Sequence, residues 1–112
     1  MSKRIFTYEE AAELLPQVRE LTESAVGRTL TLLSGQSEIP SPDDVPEDLL
    51  DDYQKIVYEW ADSIHGLGVE VKGLWLVDFD CGSGYYCWTH PEPGLQYFHG
   101  YDEGFQGRVL LN

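Results

Sequence analysis

The chain is poor in positive charge. Seven Lys and Arg stand against 20 Asp and Glu, for a formal net charge of −13. Nucleic-acid backbones and anionic membranes are recognised through clusters of Lys and Arg, and none is present, which argues against both partners. Bound cations or a basic partner are compatible with such a surface, and solubility alone also accounts for it. Cysteine is scarce: Cys81 and Cys87 are the only two. Two cysteines do not make a disulfide framework, so both are expected as free thiols. No apolar run approaches the roughly 20 residues of a membrane span. The basic start, Met1 to Phe6, leads into Glu9, Glu10 and Glu13 rather than an apolar signal core, and a cytoplasmic location is expected. The short signatures of established chemistry are missing as well. There is no C-x-x-C, no H-E-x-x-H, no phosphate loop with G-K-[ST] and no alternating-aspartate calcium loop.

What is present is a globular composition, 42% hydrophobic and 12% aromatic over 112 residues. That suits a single domain, 1–112, with a modest core. The pattern reads as α+β, an N-terminal antiparallel helical hairpin (7–33 and 45–66) followed by a small three-stranded antiparallel β-meander and a Gly-rich C-terminal segment (69–112). Thr7-Tyr8-Glu9-Glu10 is a capping box, Phe6 can staple back onto Ala11, and Ala11, Leu14, Val18, Leu21 and Ala25 form one stripe. Pro16 lies inside this pattern. An interior proline costs about 3 kcal/mol, so the first helix is expected to be broken or kinked near it, with a short helix to about Leu14 and a longer one with Pro16 in its first turn.

Residues 34–44 read as a loop, with Gly35, Pro40 and Pro42 close together. Asp44-Val45-Pro46-Glu47 is a box-like opening of the second helix, with Asp43, Asp44, Glu47 and Asp48 at its dipole-positive end. Leu49, Tyr53, Ile56, Trp60, Ile64 and Leu67 carry its stripe, widened by Leu50 and Val57, His65 sits in the last turn and Gly66 suits the C-cap, with Gly68 close behind. The helices and an aromatic sheet face hold more apolar surface than one helix pair hides. Either the hairpin covers the sheet, or two chains pair through their helices. A homodimer is the favoured expectation.

The candidate site comes from strand register. Leu74 to Phe79 alternates, placing Trp75, Val77 and Phe79 on one face and Leu76 and Asp78 on the other. With Gly82-Ser83 as a two-residue turn, Cys81 opposes Gly84, Phe79 opposes Tyr86, Asp78 opposes Cys87 and Val77 opposes Trp88. A third strand, Leu95 to His99, turns Phe98 to the core and His99 to the side of Asp78 and Cys87. A carboxylate, a thiol and an imidazole on one face are the donors of a zinc or iron site, which Glu92 or Asp102 could complete. Each also has an ordinary structural use: Asp78 as an acceptor, Cys87 as a small apolar residue, His99 bonded to a carbonyl. Arg108 suits clamping Asp78, Glu92 or an anionic ligand, or a structural ion pair.

Several stretches together resemble a known family. They are Phe6-Thr7, Glu10-Ala11, Leu14-Leu15-Pro16, Gly68 to Lys72, Leu76 to Phe79, Cys87-Trp88, Glu92, His99, and Gly104-Phe105 with Gly107-Arg108. The chain resembles the uncharacterised bacterial family catalogued as domain of unknown function 2203. The departures are Phe98 before His99, where the family pattern has Trp, and Asp80, where a proline is common. The resemblance implies a small cytoplasmic protein with a helical hairpin, and it carries no established activity. Three functions therefore stand. The favoured one is an oligomeric interaction or structural protein. The alternatives are a metal-binding protein using Asp78, Cys87, His99 and Glu92 or Asp102, and a small-molecule enzyme using Cys87, His99 and Arg108.

Overall fold

The computed structural model describes residues 4–33 and 45–111. Helix α1 spans Tyr8–Leu32 and begins with the indicated capping box. The Glu10 N–H donates to Thr7 Oγ1 at 3.1 Å, and Thr7 N–H donates to Glu10 Oε1 at 2.8 Å. Phe6 is buried and meets Phe79 edge to face at 5.4 Å, while its N–H donates to the Asp80 carbonyl at 2.7 Å. The chain entering the helix is thus tied to the sheet.

The expected break at Pro16 is absent: α1 is one helix that contains the proline. Pro16 is exposed, whereas Leu15 and Val18 beside it are buried in the core. The buried stripe runs across the proline, and its burial outweighs one lost backbone bond and the ring's clash with the preceding turn. Pro16→Ala is accordingly expected to stabilise the fold by about 1–3 kcal/mol, raising the urea midpoint at unchanged slope. A lower midpoint would mean that the proline shapes the native helix.

A short helical turn, Glu47–Leu49, precedes α2, Leu50–Gly66. This helix starts later than 45, after the short turn that Pro46 leads into. Asp43, Asp44 and the loop 34–44 lie outside the described residues. At the other end His65 occupies the last turn as expected, but the residue that reverses the chain is Gly68 rather than Gly66. Gly68 has φ 84° and donates its N–H to the His65 carbonyl at 2.9 Å. A Cβ there would lie 2.7 Å from Arg4 Cδ, which leaves room only for glycine.

The sheet has five antiparallel strands in chain order, not three. They are β1 (Glu70–Gly73), β2 (Leu76–Asp80), β3 (Tyr85–Thr89), β4 (Tyr97–His99) and β5 (Val109–Leu110). The two additional strands are the edges. β1 spans only four residues and β5 two, too few to mark a paired strand without the neighbour whose backbone holds each. The central register is the one the turn predicts: Phe79 opposes Tyr86, Asp78 opposes Cys87 and Val77 opposes Trp88. Cys81 N–H closes the turn on the Gly84 carbonyl at 2.9 Å.

Both helices cover one face of this sheet. Val77, Phe79 and Trp88 join Val18, Ile56, Trp60 and Ile64 in one core. Trp75 lies just before β2 at φ 61°, and its ring meets Trp60 at 4.9 Å. Holding a non-glycine residue there costs about 1–2 kcal/mol, which burial of the indole offsets. Phe98, expected in the core, is only half-buried. The stripe Tyr53, Ile56, Trp60 and Ile64 of α2 is buried within the single chain. Of the two arrangements open from sequence, the helices-over-sheet one accounts for that stripe.

His90 follows β3, and its Nδ1 is buried without a partner among the described residues. Burial pushes this imidazole below its ordinary value, with Glu23 opposing the shift. The unfolded chain takes up a proton that the folded site resists, so stability is lost as pH falls through the unfolded value of about 6.5. In His90→Phe the drop in melting temperature between about pH 7.5 and 5.5 is expected to shrink, as scanning calorimetry would show. An unaltered drop would place the acid sensitivity elsewhere.

Candidate functional site

The face of the sheet turned away from the helices carries a compact polar group. Asp78 on β2 opposes Cys87 on β3, and His99 on β4 lies two residues along, opposite Tyr85. All three are buried, at 1%, 1% and 3% exposure. One donor atom from each lies within 4.8 Å of the others. His99 Nε2 is 2.9 Å from Asp78 Oδ2, and Nδ1 is 2.9 Å from the Gly100 carbonyl. The other oxygen, Asp78 Oδ1, is buried with no hydrogen-bond partner among the described residues. A carboxylate oxygen left dry and unpaired is costly, so its position asks for a cation or donor.

Cys87 is a thiol rather than a thiolate in this setting. Burial pushes its pKa up to about 12, the Asp78 charge adds to the shift, and Arg108 opposes it too weakly to reverse it. A nucleophile needs the thiolate, so Cys87 alone is not activated. A metal ion would change this by displacing the proton.

Arg108 is built into the same face. Its Nη1 donates to Glu92 Oε2 at 2.9 Å and Oε1 at 3.1 Å, and lies 4.0 Å from Cys87 Sγ. The guanidinium carbon stands 4.0 Å from the Tyr97 ring centre and 4.0 Å from that of Phe105. Glu92 Oε1 also accepts the Thr89 N–H at 3.1 Å. The structural ion pair, one of the uses the sequence allowed for Arg108, is formed with Glu92.

The Gly-rich segment crosses this face and leaves a cavity of about 330 Å³. Asp78, Cys87 and His99 line it together with Lys72, Tyr85 and Phe105. Tyr85 lies 5.4 Å from the His99 ring and 5.1 Å from that of Tyr101, whose hydroxyl donates to Asp80 Oδ1 at 2.6 Å.

A family profile for an uncharacterised conserved protein matches residues 4–111. The chain belongs to the DUF2203 family. No curated protein and no solved structure matches it. The matched DUF2203 region contains the whole sheet and every residue of the polar group.

In this DUF2203 chain, three of the residues singled out from sequence converge, Asp78, Cys87 and His99. Two proposed completions do not join them: Glu92 is engaged by Arg108 and Thr89, and Asp102 is exposed. Lys72, Tyr85 and Phe105 are cavity residues that sequence reasoning missed. A signal for Lys72 was available, because Val69 to Lys72 alternates and Glu70 pairs with Asp78 on the same face.

Proposed function

We propose that the protein binds one divalent metal ion of the zinc or iron class through Asp78, Cys87 and His99. The observation that carries this is three buried donors of different chemistry, from three strands, within 4.8 Å of one another. Asp78 supplies a carboxylate oxygen, Cys87 a thiolate and His99 its Nε2. The Gly100 carbonyl accepts from Nδ1, which favours the tautomer with a lone pair on Nε2, the atom that stands 2.9 Å from Asp78 Oδ2 and would share the ion with it. A dication with one carboxylate and one thiolate sums to zero charge, which suits a buried site. Both cysteines are free thiols, which supports a reducing, cytoplasmic setting.

The test is native mass spectrometry with elemental analysis on protein purified without an affinity tag. One ion per chain is expected, and none in Asp78→Ala or His99→Ala that remain folded by circular dichroism. Wild-type protein that takes up no metal after incubation with zinc would return the three residues to structural roles. The same spectra report the mass of the assembly, and so test the homodimer expected through the helices.

A further inference from the structure

Resting on that metal reading, we infer that the ion keeps an open coordination position facing the cavity, and that this position takes a small carboxylate. A closed structural zinc site needs four protein ligands, whereas open sites have three and a ligand. Only three donors converge among the described residues. The nearby acids are engaged elsewhere: Glu92 with Arg108, Glu103 Oε1 with the Gly100 N–H at 2.9 Å, and Asp80 Oδ1 with Gly82 and Tyr101. The three donors line a cavity of about 330 Å³, at the lower end of the volumes that bind small molecules.

The lining selects the ligand. Lys72 is the one cation among the residues that line this cavity. It stands 3.1 Å from Glu70 and 3.5 Å from the Tyr85 hydroxyl, and that hydroxyl is 3.4 Å from Glu70. The two bonds of the Tyr85 hydroxyl are long, so it and the Lys72 ammonium can turn to a better acceptor. With the ion, carboxylate and thiolate summing to zero, and with Glu103 also on the lining and Glu70 beside Lys72, the cavity has no surplus of positive charge, which favours a monoanion over a dianion. One carboxylate oxygen takes the metal, the other faces Lys72 and Tyr85, and Phe105 borders the remainder.

Cobalt(II) in place of the resident ion reports its own coordination in the visible spectrum. Acetate is expected to change that spectrum saturably, with one acetate per cobalt. In Lys72→Met the cobalt content should stay at one per chain while acetate binds about tenfold more weakly, as loss of a charged hydrogen bond requires. A bound-cobalt spectrum indifferent to acetate would overturn the open position and leave the metal reading standing. Acetate binding unaltered by Lys72→Met, or inorganic phosphate bound in preference, would overturn the ligand assignment. Absence of cobalt uptake would overturn both readings together.

Discussion

Trp88→Ala is expected to cost about 3–5 kcal/mol, the largest loss of stability from a single side chain in this fold. The Trp88 side chain is fully buried at the centre of the sheet, opposite Val77 and within the core shared with both helices. Truncation removes the greatest apolar volume among the fully buried residues and leaves a cavity that the surrounding strands cannot close. It also removes the Nε1–H bond to the Glu92 carbonyl at 2.9 Å. Domains of this size have about 5–15 kcal/mol in total, so the variant should sit near its unfolding midpoint in modest denaturant. Trp88→Phe keeps most of the apolar burial and should lose only about 1–2 kcal/mol, for the bond and the smaller volume. Urea titrations of the two variants measure the difference. A loss below about 1 kcal/mol in Trp88→Ala would show that the core repacks around this position.

Cys87→Ala is expected to lower zinc affinity by more than about a hundredfold while leaving the fold in place. The side chain is small, so the apolar loss is about 1 kcal/mol. Removing one of three donors from a metal site acts directly on the ion. The two effects separate in a thermal-shift experiment. Zinc at a hundred times the wild-type dissociation constant should stabilise the wild-type protein by about 2.7 kcal/mol, and Cys87→Ala by almost nothing. Both should melt within a few degrees of each other in chelator. Equal zinc stabilisation of the two proteins would remove Cys87 from the site.

The candidate site was legible in sequence because it sits on a strand pair whose register a tight turn dictates. Side chains alternate with a period of two, so locating Gly82-Ser83 places Asp78 opposite Cys87. His99 followed, although the reason offered for its facing, a core position for Phe98, was only partly met, since Phe98 is half-buried. The capping box at Thr7 was legible because it depends on residues three apart. The pairing of Arg108 with Glu92 was one of several options, because nothing local brings positions 16 residues apart together. Asp102 and Glu92 were drawn toward the metal group by proximity in sequence, and their tertiary surroundings place them elsewhere.

The sequence by itself determined the α+β order, the first helix start, the central register and three donors on one face. These rest on interactions between near neighbours, whose geometry the backbone repeats. Tertiary structure decided the rest. It carried α1 through Pro16, because burial of Leu15 and Val18 outweighs a local penalty that sequence weighs alone. It made edge strands of two short stretches, because their hydrogen bonds come from β2 and β4. It laid the Gly-rich segment over the outer face, and so made a surface carboxylate, thiol and imidazole into a buried cluster with a cavity above it. Burial is a property of the folded whole, and it separates three polar side chains on a sheet face from a site.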